Sequence, residues 1–365
     1  MNDDNKIIGN QGEEKQIPKL LRQAGEDKLI DKVIQGVEET SLEERSSSKG
    51  AIIGLEKVAV VDARDIKDIS LGNIKNRILA VADSQGVRTY NYDAPIPELL
   101  PDNNLLNTSS DFVEFTKDGV YLAAAFQAAG TNYLSVYKDD TRVINVEYPA
   151  IDKIEFDSND RLFVSSGSVL HMLRFTADGK CSSIFLGSDI PGLSDFSISP
   201  DGAYIVGAQR NFAGIFEVED RKTKLVARSE GFDSLAVHVA FSPEIKERDV
   251  VALQRIGKDY YFAAANDKVL KVFKFSTPNI VEIINGTRLH QPHDINSIAL
   301  GPGNSLAVAH GNLTSVYNLN ESGLDLVRDI ILSDTVLKAK FSPDGNYLAA
   351  TCKDYQVWLY KVERK

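Results

Sequence analysis

From residue 51 onward the chain alternates short apolar runs of strand length with clusters of Gly, Asp, Asn, Ser and Pro, and helical spacing of apolar residues largely disappears. Six segments share one pattern: FTKDGVYLAAAF from 115, FDSNDRLFVSS from 156, ISPDGAYIVGA from 198, FSPEIKERDVVAL from 241, LGPGNSLAVAH from 300 and FSPDGNYLAATC from 341. In each, an apolar strand ends in Phe, Ile or Leu and a tight turn follows, as in Ser342-Pro343-Asp344-Gly345. Pro presets the second position of a type I turn and Gly suits the fourth. The next strand is almost wholly apolar, and its lack of alternation predicts burial on both faces. A third strand comes after a short polar loop, as in VLKVFKF from 269 and YQVWLYKV from 355, and a weaker fourth leads to the next unit.

The segments recur at offsets of 41, 42, 43, 59 and 41 residues. An antiparallel four-stranded unit repeated at this spacing is the signature of a propeller blade. Residues 77–83 and 87–92 reproduce the second and third strands of one earlier unit, which predicts an all-β, seven-bladed β-propeller. The last unit stops after its third strand, and Leu55 to Ala63 reads as one extra strand upstream. The ring is therefore expected to be closed by that N-terminal strand, which hides two sheet edges at once. The fifth unit offers two second strands, Val250 to Arg255 and Tyr260 to Ala265, and the pattern leaves both open.

Residues 1–50 differ from the expected propeller at 51–365. Leu29, Ile30, Val33, Ile34 and Val37 fall at helical spacing with charged residues opposite, which predicts a short amphipathic helix in an N-terminal extension. Docking on the main domain and service as a partner-binding arm are both open. Residues 43–50, EERSSSKG, have linker composition. A hydrophobic fraction of 43% with 25% charged residues is that of an ordinary globular chain. The net charge of −11 disfavours nucleic acid and anionic membrane and favours a basic protein partner. Cys181 and Cys352 are too few and too far apart for a disulfide framework or a local metal clip, and both read as buried thiols. With no signal-like N-terminus and no apolar span, a cytoplasmic or nuclear protein is expected.

FSPDGNYLAATCKDYQVWLYKV from 341, with Asp354 in its inner hairpin and Trp358 on its third strand, resembles the WD-repeat family. HDINSIALGPGNSLAVAHGNLTSVYNL is similar to that family's histidine-led first strand, which gives His293 a structural position. The resemblance implies a propeller that binds partners through the loops between second and third strands and between blades. On that face the candidate contacts are Arg210, Phe212, Tyr355, Lys353, His310, Asn312 and Gln127, with Arg, Tyr and Phe favoured as anchors. Gln85, Asn211 and Asn266 belong to the same loops. No unit ends in Trp-Asp and only one carries the Trp, so the family's His/Asp/Ser/Trp set is incomplete and blade rigidity is expected to come mainly from apolar packing.

No catalytic motif stands out. There is no GxSxG elbow, no phosphate-binding glycine loop, and no zinc spacing beyond the weak pair His290 and His293 with Asp294. No metal or cofactor is called for. The reading is a non-enzymatic interaction scaffold or assembly subunit. The alternatives are a propeller enzyme with a channel-bound metal, such as a hydrolase or lactonase, and the propeller domain of a trafficking exchange factor or nuclear-pore component.

Overall fold

The computed structural model describes residues 50–365 apart from 73–77, 93–97, 140, 168, 176–180, 187–192, 220–221, 230, 233, 235–237, 248–257, 277–278, 289–293 and 321–322. The expected helix at Leu29–Val37 and the positions His290 and His293 lie outside the described residues.

Among the described residues, 28 strands form seven four-stranded antiparallel sheets, and no helix occurs. The first strands of the seven sheets are Asp68–Leu71, Ser110–Phe115, Lys153–Phe156, Leu193–Ile198, His238–Glu247, Ile295–Gly301 and Val336–Phe341. Each packs against the first strand of the next sheet, and the seventh packs against the first, so they form the inner wall of a ring. The second strands are buried along almost their whole length, as their unbroken apolar sequence requires: Ser305–His310 and Tyr347–Cys352 are buried at every position. The apolar clusters lie between neighbouring blades. The one between blades 7 and 1 joins Leu359, Ala349 and Tyr347 to Ile69, Leu79 and Tyr90. Within a blade the packing is equally close: at Gly207 a Cβ would meet the Cδ2 of Leu193, on the first strand of the same sheet, at 2.4 Å.

Ile52–Asp62 pairs antiparallel with Gln356–Arg364 and supplies the fourth strand of the last blade. Blade 6 holds it from the side. Asn318 clamps Ile52 with two bonds, Oδ1 accepting the Ile52 N–H at 2.9 Å and Nδ2 donating to its carbonyl at 2.8 Å. The Arg328 guanidinium donates to the Leu55 carbonyl at 2.7 Å. In the fifth blade Lys258–Ala265 pairs with both His238–Glu247 and Val269–Ser276, so the second strand is the one containing Tyr260 to Ala265. The competing segment, Val250 to Arg255, lies outside the described residues.

The repeat spacing reappears as a seam of hydrogen bonds between inner strands. Asp68 accepts the Val113 N–H at 3.1 Å and Ser70 that of Phe115 at 3.0 Å. Glu155 accepts from Ile198 at 2.9 Å, Asp195 from Val239 at 3.0 Å and Ser197 from Phe241 at 3.1 Å. Each bond joins residues 43 to 45 apart in sequence. An inner strand cannot pair laterally with its neighbour across the channel wall, so a side chain satisfies the backbone donor instead.

Polar contacts do more for the blades than sequence reasoning allowed. In blade 6 the His310 Nε2 lies 2.7 Å from the Ser315 hydroxyl, which donates to Asp329 at 2.6 Å, a chain spanning the second, third and fourth strands. Trp358 is half-buried rather than enclosed, and the Lys57 ammonium lies 3.9 Å from its ring centroid. Cys352 is buried, whereas Cys181 is only partly so, because it begins the edge strand Cys181–Phe185.

Candidate functional site

In every sheet the loop between second and third strands opens at the same end, since all seven first strands run the same way and each sheet is antiparallel. These loops are short hairpins, and the tightest need a left-handed residue to match the strand twist. Gly, Asn or Asp normally takes that position. Three loops depart from this, one of them at the small Ala129, φ 51°. Arg210, with φ 45°, opens the two-residue turn Arg210-Asn211, and both residues are exposed. Tyr355, with φ 67°, is 50% exposed. Its backbone is held on both sides, the N–H donating to the Cys352 carbonyl and the carbonyl accepting from Ala63 at 2.8 Å. A bulky side chain in this region costs roughly 1–2 kcal/mol.

Lys353, Asn312 and Gln127 are exposed on the same face, as is Gln85. Phe212 is half-buried with the Arg228 guanidinium 4.8 Å from its ring centroid. His310 is corrected: it is the last residue of a buried strand, fully enclosed and bonded to Ser315, and cannot contact a partner. Asn266, only 4% exposed, caps its own turn by accepting the Lys268 and Val269 N–H groups.

The ring also encloses a channel that sequence reasoning did not single out. Side chains two apart on an inner strand share a face, so six blades contribute a pair and blade 1 contributes Asp68. Asp68, Phe112 and Glu114, Lys153 and Glu155, Asp195 and Ser197, His238 and Ala240, Ser297 and Ala299, and Lys338 and Lys340 line an upper cavity of about 430 Å3. A lower cavity of about 250 Å3 opens among the Ser-Pro turns. Glu114, Glu155, Ser197 and Lys340 line both and mark the waist.

The charges on this wall are interlocked. Lys338 donates to Asp68 at 2.9 Å, and the Lys340 ammonium lies 2.6 Å from Glu114 and 3.8 Å from Asp68. Lys153 sits 2.7 Å from Asp195 and 3.2 Å from Glu155. Burial opposes ionisation of Asp68, but the ammonium groups of Lys338 and Lys340 and the Val113 N–H outweigh it and hold the carboxyl below its ordinary value. Burial pushes the Glu114 carboxyl up against the pull of Lys340. Desolvation likewise lowers His238, so its imidazole is neutral near pH 7. Among the described residues no group of three His, Cys, Asp or Glu side chains is placed to hold a metal ion. The visible signal for this network was the pair of charged residues at alternate positions just before the turn, Lys153/Glu155 and Lys338/Lys340.

No family model and no curated protein sequence matches the chain. Solved structures do. A chain in the crystal structure of the mitotic checkpoint complex is similar at 16% identity with a TM-score of 0.59, over 87% of this chain and 96% of that one. The Myceliophteria thermophila Cps50 (Swd1) β-propeller domain is similar at 11% identity with a TM-score of 0.61, over 85% of this chain and 100% of that one. By fold, the chain is a seven-bladed β-propeller. This propeller departs from the repeat pattern at the positions that the sequence flagged, with one Trp and no terminal Trp-Asp pair, yet it keeps seven blades and the strand exchange at the ring's ends.

Proposed function

We propose that this propeller is a non-enzymatic interaction scaffold that grips a protein partner on the face of the second-to-third-strand loops. The observation that carries the reading is the pair Arg210 and Tyr355, large exposed side chains kept in left-handed backbone where Gly would sit without strain. Strain of this kind persists where the side chain is needed. Lys353, Asn312, Gln127 and the partly exposed Phe212 surround these anchors as the polar and aromatic remainder of the surface. One of the similar structures bears on the reading as well, since it is a chain of a protein complex. A basic partner suits the net charge of −11.

The test compares partner capture by the wild type with that by Arg210→Gly and Tyr355→Gly. Both variants relieve backbone strain and so stay folded, which makes loss of captured proteins a statement about the face itself. Capture of the same proteins by a folded double variant would overturn the assignment. Stoichiometric metal in the purified protein, with hydrolytic activity, would favour an enzyme.

A further inference from the structure

The waist of the channel is spanned by one ion pair that skips a blade. Lys340 belongs to blade 7 and Glu114 to blade 2, and the side chain of blade 1 between them at this level is the small Ser70. The Lys340 ammonium therefore has two carboxylates within reach, Glu114 at 2.6 Å and Asp68 at 3.8 Å. The two acids are held differently. Asp68 is fixed by Lys338, by the Val113 N–H and by its own strand at Ile69. Glu114 has Lys340 as its cation, while Asp68 and Glu155 face it as like charges. Lys153, paired with Glu155 and Asp195 on the next blade, repels the Lys340 ammonium from the far side.

We propose that Lys340 is a two-position latch at the channel waist: a proton taken from solvent by the Glu114 carboxylate releases the ammonium, which closes on Asp68. The move needs about 1 Å of ammonium travel, since a charge-assisted bond is about 2.8 Å long. It removes the ion pair from the waist shared by the upper and lower cavities. Burial raises the Glu114 carboxyl while Asp68 is held low, so the acids take protons in the order the latch requires. Mild acid thus resets the channel without unfolding the ring.

Crystal structures of the wild type at about pH 7.5 and about pH 4, values on either side of an ordinary Glu carboxyl at about 4.3, test the latch directly. At the lower pH the Lys340 ammonium is expected within hydrogen-bond distance of Asp68 and away from Glu114; an unmoved ammonium overturns the proposal. Thermal unfolding of Glu114→Gln gives a second measure. A carboxyl raised in the folded state withholds stability above its folded value and restores it as pH falls. The Gln variant should therefore melt at or above the wild type at neutral pH and together with it in acid. A variant melting below the wild type at neutral pH would make Glu114 a simple brace and overturn the latch.

Discussion

Asp68 offers the sharpest perturbation of the ring, because it joins the last blade to the first two. Its carboxylate receives the Lys338 ammonium from blade 7 and the Val113 N–H from blade 2, and the residue is 4% exposed. Asp68→Asn keeps the shape but can accept on only one side. Either the Val113 N–H or the Lys338 ammonium then faces an amide N–H donor, and two lysines lose their shared counter-charge. Removing one partner of a fully buried pair costs roughly 3–5 kcal/mol. The lysine side chains here are 31% and 32% exposed, and solvent takes up part of that loss. The expected cost is about 2–3 kcal/mol. For a domain of this size, with an unfolding entropy of about 0.65 kcal/mol/K, the melting temperature should fall by about 3–5 °C.

The pH dependence separates this account from a packing defect. Asp68 is held below its ordinary value, so its contribution is present in full above an unfolded-state pKa of about 3.9 and disappears only as pH falls through the lower folded value. Thermal unfolding followed by the fluorescence of the single Trp358 should give the same wild-type advantage at about pH 7 and about pH 5, and a shrinking one below about pH 3.9. A wild-type advantage that stays constant down to acid pH, or no advantage at neutral pH, would refute the ionic reasoning.

Four further outcomes are expected. Tyr355→Gly and Arg210→Gly should each raise stability by roughly 1 kcal/mol in denaturant unfolding, because glycine adopts positive φ freely; a loss of stability would mean that the side chains brace the loops. Asn318→Ala strips both bonds from Ile52 and should cost about 1–3 kcal/mol, with faster hydrogen exchange in residues 52–62 than in the other outer strands. Trp358→Ala should cost about 2–3 kcal/mol, below the roughly 3–5 kcal/mol of a fully enclosed aromatic, since the ring is half-buried under Lys57. Burial pushes the Cys352 thiol up to about 12, so at pH 8 a soluble disulfide reagent should modify the partly exposed Cys181 in the native protein and leave Cys352 until unfolding.

The blades were legible because their signals are local. A Ser-Pro-Asp-Gly turn and an unbroken apolar run declare themselves within a dozen residues, and the repeat multiplies them. The same locality explains the misreading of His310. It stands at the junction of an apolar run and a Gly-Asn turn, and only the pairing of three strands reveals that Ser315 and Asp329 draw it inward. The pairing of charges across the channel was hidden for the opposite reason. Lys338 and Asp68 are 270 residues apart and Lys340 and Glu114 are 226 apart, so no window along the chain brings them together. The strain at Arg210 and Tyr355 is likewise a property of hairpin geometry, which residue types alone do not announce.

The exchange of one strand between the ends of the repeat array carries a topological consequence. Ile52–Asp62 lies hydrogen-bonded beside Gln356–Arg364, and the Lys365 N–H reaches the Ala51 carbonyl at 3.2 Å. Every blade, the last included, is therefore the same antiparallel sheet, and the ring carries no mark of where its numbering starts. A short peptide joining these two strands, with the chain reopened in an exposed loop such as that at Ala129-Gly130, should yield a permuted protein with the same seven sheets. Which blade comes first is a fact about the polypeptide, and the folded ring is indifferent to it.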